Sequence, residues 1–149
     1  MNMVHIFVDN DACPVKEEIF KVATRYALEV TLVSNQGMRP AGLPNVKQVV
    51  VGAGFDAADD WIAEHAASGD IVITADIMLA GRCLSKGSKV VGPNGHIFTQ
   101  QNIGGALAMR DLNAHLRETG ESKGYNRSFS KNDRSQFLQS LDKLIQQAK

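Results

Sequence analysis

The feature that most constrains this chain is its opening run, Val4-His5-Ile6-Phe7-Val8, which is apolar at all but one position and stops at an acid, Asp9. Near-continuous apolar character over five residues predicts a strand buried on both faces, which is the habit of parallel sheets. Pro14 then stands where a first helical turn tolerates a missing N–H. Ile19, Phe20, Val22, Ala23 and Tyr26 follow with helical spacing. Strand, loop and helix in this order form the first half of a βαβ unit.

The same alternation continues for ninety residues. Strands are expected at Val30 to Val33, Val46 to Val51, Ile71 to Thr74 and Val90-Val91, with a further short one at Ile97-Phe98 after the Pro93-Asn94-Gly95 turn. Helices are expected after Asp56, through Leu79, Cys83 and Leu84, and from about Gln101 to Arg117. Together they predict an α/β fold: a three-layer α/β/α sandwich with a mainly parallel sheet and right-handed crossovers. Residues 119–128 hold glycines, serines and charges with Tyr125 as the one large apolar group, a composition that predicts a mobile linker. Beyond it, Ser130 and Asp133 resemble a helix start, and Phe137, Leu138, Leu141, Leu144 and Ile145 make a stripe. A C-terminal helix over 129–149 is therefore expected to pack back on the domain.

A length of 149 residues fits one domain, 1–149, around one core. No apolar run approaches the roughly 20 residues that span a bilayer, so no membrane partner is expected. The first residues lack a positive region and a cleavage site, and Cys13 and Cys83 suit free thiols in a reducing compartment, which points to the cytoplasm. The chain has 16 basic and 16 acidic side chains, but they are not evenly spread. Residues 1–109 carry 8 Lys or Arg against 11 Asp or Glu, and residues 110–149 carry 8 against 5. An acidic site beside a basic flank is compatible with that split.

The acids occupy telling places. Asp9 and Asp11 follow the first strand, Asp76 follows the fourth, and Asp56, Asp59 and Asp60 open the helix between the third and fourth. Ligand sites of open α/β sheets lie outside the carboxyl ends of the strands. Carboxylates converging there repel one another unless a cation or protons intervene. Oxygen donors without suitably spaced His or Cys favour a hard ion, Mg²⁺ or Mn²⁺. Against this stands the ordinary role of Asp at such turns, which is to cap a helix.

Val8-Asp9-Asn10-Asp11-Ala12-Cys13-Pro14-Val15, Gly54-Phe55-Asp56-Ala57-Ala58-Asp59, Ile73-Thr74-Ala75-Asp76-Ile77, Met109-Arg110-Asp111-Leu112 and Phe129-Ser130-Lys131-Asn132-Asp133-Arg134 together resemble the YaiI/YqxD family of bacterial proteins. That family is grouped with PIN-like domains, metal-dependent nucleases with an acidic cluster at the sheet edge. The resemblance implies that Asp9 matches the acid closing the first strand and that Thr74-x-Asp76 matches the strand-four motif. It also admits a homodimer. Asn10 and Met78 depart from the family's usual Ala and Pro, and Ile77, Met78 and Leu79 stand where PIN domains often carry a further acid.

The leading expectation is phosphodiester hydrolysis, with RNA favoured, by one or two Mg²⁺ or Mn²⁺ ions. Asp9, Asp11 and Asp76 would be catalytic, and Asp9, Asp11, Asp59 and Asp76 would hold metal with Asp56 behind them. Arg110 and Arg134, in the matched segments, and Asn35, after the second strand, would contact nucleic acid. Two alternatives stay open. One is a nucleic-acid-binding or interaction module without turnover. The other is a haloacid-dehalogenase-like phosphatase, with Asp9 as nucleophile, Asp11 as general acid and Ser34 after strand two; for its Lys, Lys47 falls inside a strand. Cys13 is read as a packing or capping residue, and His5, His65, His96 and His115 as structural or exposed.

Overall fold

A computed structural model of the chain describes residues 4–9, 15–35, 42–52, 57–105 and 131–148. The expected linker over 119–128 lies outside the described residues, as does most of the helix expected over 101–117. In chain order the elements are β1 (His5–Asp9), α1 (Lys16–Tyr26), β2 (Glu29–Ser34), β3 (Val46–Val50), α2 (Ala57–His65), β4 (Ile71–Ile73), α3 (Ile77–Ser85), β5 (Lys89–Val91) and β6 (Ile97–Phe98). A helical stretch over residues 100–105, α4, and a last helix, α5 (Lys131–Ala148), complete them.

The six strands form one sheet in the order β3-β2-β1-β4-β5-β6. All neighbours run parallel except the β5–β6 pair, which is antiparallel. The chain thus moves from β1 outward through β2 to β3, then returns to lay β4 against the other side of β1. Between β1 and β4 the direction of winding reverses. The two sides of β1 are both covered because its residues alternate between two cores. Ile6 and Val8 pack with Ile19, Val22, Phe137, Leu141, Leu144 and Ile145 of α1 and α5. Phe7 packs with Ala58, Ile62, Leu79 and Cys83 of α2 and α3. The expected three-layer α/β/α sandwich is therefore the fold.

Each helix is written for its place. α1 carries Glu17 and Glu18 in its first turn and Arg25 in its last, which suits the macrodipole, and it buries Ile19, Val22 and Ala23. It stops at Ala27, which takes a left-handed conformation with φ of 55° and satisfies the carbonyls of Ala23 and Thr24. α2 and α3 lie side by side and run the same way. Arg82 of α3 donates to Asp60 of α2 at 2.9 Å, and the Lys86 ammonium donates to the Ala63 and Glu64 carbonyls at the end of α2.

α5 runs parallel to α1 on the opposite face. Arg134 donates to Glu18 at 3.0 Å, and the Tyr26 hydroxyl donates to Asp142, both pairs being 116 residues apart in sequence. Burial of Phe137, Leu141, Leu144 and Ile145, each worth about 1.5–3 kcal/mol, fastens the helix. A second fastening comes from Gly95, which turns with φ of +92° and lies against the α5 backbone. A Cβ there would meet the Gln136 carbonyl carbon at 2.6 Å. The Ser140 hydroxyl closes this contact by donating to the Gly95 carbonyl at 2.6 Å.

Candidate active site at the carboxyl edge of the sheet

Where winding reverses, the loops leaving two adjacent parallel strands turn to opposite faces and leave a crevice between their carboxyl ends. In this sheet those strands are β1 and β4. Asp9 is the last residue of β1, one step past the Val8–Ile73 pair, so it lies level with Thr74, the first residue beyond β4. Alternation puts the Asp9 and Thr74 side chains on the α2–α3 side, the side of Phe7 and Val72.

The contact between them is direct. The buried Thr74 hydroxyl donates to Asp9 Oδ2 at 3.0 Å and accepts from the Asp76 amide at 3.0 Å. Thr74 is held in turn by its own amide, which donates to the Val91 carbonyl of β5 at 3.2 Å. Asp76 is the N-cap of α3: its Oδ1 accepts from the amides of Met78 at 2.9 Å and Leu79 at 3.2 Å. The capping role weighed for such acids is thus real for Asp76. It uses one carboxylate oxygen and points the α3 dipole's positive end at the same crevice.

The remaining sequence-selected residues are placed as follows in the fold. Asn35 directly follows β2, whose Val33 pairs with Asp9, so it stands one strand away at the same edge. Asp59 lies in the first turn of α2, and its charge acts on Arg82 and Cys83 of α3. Arg134 lies in the first turns of α5, bound to Glu18 on α1. Asp11, Asp56, Arg110 and Cys13 lie outside the described residues. Among the described residues no three His, Cys, Asp or Glu side chains group closely enough to hold an ion.

The opposite, amino edge is built differently. His5 pairs its ring with Thr31 Oγ1 at 2.6 Å, lies 3.6 Å from Glu29, and packs at a tilt against Phe7, itself 6.0 Å from Trp61. Burial pushes the His5 pKa below its ordinary value and Lys47 adds to this, while Asp70 and Glu29 pull the other way. Trp61 stacks on His65 at 3.8 Å. These histidines are structural or exposed, as their sequence positions suggested. Cys83 is buried between α3 and the sheet, and desolvation pushes its thiol up to about 11. That makes it inert as a nucleophile at neutral pH.

Two residues of the carboxyl edge have contacts that the sequence alone does not show. Glu18 reads as an ordinary first-turn acid until α5 is laid beside α1. Thr74 reads as part of a motif, but its double use as donor to Asp9 and acceptor for Asp76 needs β1 and β4 to be neighbours.

Comparison with known proteins gives the chain's relatives. The family model described as "Uncharacterized BCR, YaiI/YqxD family" matches residues 7–147. The chain is similar to a UPF0178 protein of Agrobacterium fabrum, 65% identical over 97% of this chain and 94% of the relative. It is similar also to UPF0178 proteins of Rhizobium meliloti, 62% identical over 97% and 99%, and of Parvibaculum lavamentivorans, 62% identical over 97% and 95%. No solved structure matches the chain.

Proposed function

We propose that this chain, which belongs to the YaiI/YqxD family, is a metal-dependent nuclease that hydrolyses phosphodiester bonds, RNA being the preferred polymer, at the crevice between β1 and β4. The observation that carries the reading is the Asp9–Thr74–Asp76 arrangement: the carboxylate that ends β1 accepts from the buried Thr74 hydroxyl, which in turn accepts from the backbone amide of Asp76 just beyond β4, at the point where the sheet reverses its winding.

The donor chemistry fits a hard divalent cation. Among the described residues, carboxylate and hydroxyl oxygens are the groups offered there. Asp9 and Asp76 would hold the ion, with Asp59 and the sequence-expected Asp11 and Asp56, which lie outside the described residues, as further candidate ligands. When bound, such an ion lowers the pKa of a coordinated water and offsets charge on the phosphate. The chain's own part is positional. Thr74 keeps the Asp9 carboxylate fixed, and the α3 cap keeps Asp76 from turning away. The N-terminus of α3 adds positive potential where a phosphate would lie. Asn35, one strand away at the same edge, and Arg134 on α5 would contact the polymer backbone.

The phosphatase alternative asks for a Lys close to the first acid. Lys47 pairs with Thr31, which pairs with Phe7, so it lies two strands from β1 and two residues short of the level of Asp9. At about 4.8 Å per strand and 3.3 Å per residue that is a long reach, and the Lys47 charge acts on His5 at the other edge. This favours the polymer reading.

The test is incubation of pure protein with Mn²⁺ or Mg²⁺ and labelled RNA, labelled DNA or para-nitrophenyl phosphate, with Asp9→Asn as control. RNA cleavage that needs metal and disappears in Asp9→Asn is expected. No cleavage of either polymer, or equal cleavage by the variant, overturns the reading. Turnover of the small ester alone would install the phosphatase in its place.

A further inference from the structure

Resting on that functional reading, we infer that the turn between β5 and β6 is a second subsite for the substrate strand. Asn94 and His96 would donate to a phosphate some nucleotides away from the one at Asp9 and Asp76, so that the substrate is a strand long enough to reach both. The first support is register. The Gly92 amide donates to the His96 carbonyl at 2.8 Å, one step past the Val91–Ile97 pair, and Val91 pairs on its other side with Ile73 of β4. Gly92 and His96 are therefore level with Thr74 and Asp9. They also share a face with them. Val91 and Ile97 pack with the α1–α5 core, and Val90 and Phe98 belong to the α2–α3 core. Alternation turns the next residues, Gly92 and His96, to the α2–α3 side. The His96 ring agrees with this, meeting Phe98 edge-on at 4.8 Å.

The second support is what lies between the two places. Position 92 is glycine, and a Cβ there would stand 3.7 Å from the Thr74 carbonyl oxygen and 3.2 Å from Asn94 Oδ1. With no side chain at that point, the turn lies close against the segment that carries Asp76. At about 4.8 Å per strand, His96 is about 10 Å from Thr74. A stacked strand rising about 3.4 Å per nucleotide covers that in about three nucleotides.

The third support is the state of the donors. Asn94 Oδ1 accepts from the His96 amide at 3.1 Å, and since an N–H must be met by the oxygen, the NH₂ is the outer group of an exposed side chain. That turn role is ordinary for Asn, and it leaves both amide hydrogens unused. The His96 side chain is also exposed, and among the described residues no hydrogen bond or ion pair engages its ring nitrogens. The turn itself is braced. Gly95, at φ of +92°, donates to the Gly92 carbonyl at 2.9 Å, and its own carbonyl takes the Ser140 hydroxyl of α5. Donors on a braced turn lose little freedom when a phosphate meets them.

The experiment compares wild type with Asn94→Asp and His96→Phe. Asn94→Asp keeps the oxygen that holds the turn and sets an anion where the NH₂ stood; His96→Phe keeps a ring against Phe98 and removes its N–H. Each protein is measured for KM and kcat of Mn²⁺-dependent cleavage of labelled oligoribonucleotides from dinucleotide to octanucleotide, for binding of the octanucleotide in EDTA, and for melting temperature. In wild type, KM should fall several-fold from the shortest substrate to the longest. In both variants most of that fall should be lost with kcat little changed, and more so in Asn94→Asp, where the new charge repels the phosphate. Melting temperatures close to wild type separate a lost contact from a lost fold, and His96→Phe carries the test by itself if Asn94→Asp disturbs the turn.

A wild-type KM indifferent to length overturns the inference, as does a His96→Phe protein whose KM follows length as wild type's does. Wild type that neither binds nor cuts RNA overturns the functional reading and this inference with it. Wild type that binds the octanucleotide more tightly than either variant but does not cut it overturns the nuclease reading and leaves the subsite standing.

Discussion

The Thr74 hydroxyl donates to the Asp9 carboxylate at 3.0 Å across the β1–β4 boundary, joining residues 65 apart in sequence. Because the same oxygen accepts from the Asp76 amide, one buried hydroxyl fixes both acids of the crevice. Thr74→Val keeps the shape and removes both bonds. About 1–3 kcal/mol of stability should be lost, read from the urea midpoint, with Mn²⁺-dependent cleavage falling further than in Thr74→Ser.

Asp76 combines two roles that substitution separates. Asn keeps an oxygen able to accept from Met78 and Leu79, whereas Ala keeps none. Asp76→Ala should cost about 0.5–2 kcal/mol and Asp76→Asn only a small part of that. Both should lose the rise in melting temperature given by Mn²⁺. Undiminished stabilisation of Asp76→Asn by Mn²⁺ would show that this acid is a cap and nothing more.

Gly95→Ala tests the docking of α5. The added Cβ would lie 2.6 Å from Gln136 backbone atoms, and φ of +92° disfavours any side chain. A loss of more than ~1 kcal/mol is expected, with amide exchange accelerating in α5 ahead of the central strands. Uniform acceleration across the sheet would contradict this.

His5 makes stability depend on pH, with a definite sign. Its folded pKa is lowered, chiefly by burial, below the ordinary 6.5 of the unfolded chain. Above 6.5 both states are neutral and His5 contributes nothing to the pH dependence. As pH falls below 6.5 the unfolded state takes up the proton first, so stability drops until the folded pKa is passed. Melting temperatures from pH 8 to pH 5 should therefore decline less steeply in His5→Gln than in wild type.

Cys83 should be silent to thiol reagents. With its pKa pushed up to about 11 and its side chain buried, it should react at pH 8 only after unfolding. Counting titratable thiols in a Cys13→Ser background, with and without denaturant, checks this. Fast labelling of the native protein would mean that α3 opens readily from the sheet.

Most of the fold was legible because each element carries its own pattern. The strands expected at Val30 to Val33, Val46 to Val51 and Ile71 to Thr74 differ from β2, β3 and β4 by one residue at an end, or by one at each end for β2. Unbroken apolar runs announce strands buried on both faces, and the 137, 141, 144, 145 spacing announces the packed face of α5. The site was legible only in part. That acids follow β1 and β4 can be read from Asp9 and Asp76. That the two strands are neighbours cannot, since four other elements separate them along the chain.

The sequence by itself determined the types of the described elements and the parallel habit of the sheet, since these depend on periodicity and turn chemistry within a few residues. Tertiary structure decided the rest: the order β3-β2-β1-β4-β5-β6, the bond from Thr74 to Asp9, and the hold of Glu18 on Arg134. These are meetings of residues 65 and 116 apart, and they exist only because burying both faces of β1 forces α1 with α5 to one side and α2 with α3 to the other. Local propensity has no term for such distances. Packing around one central strand does.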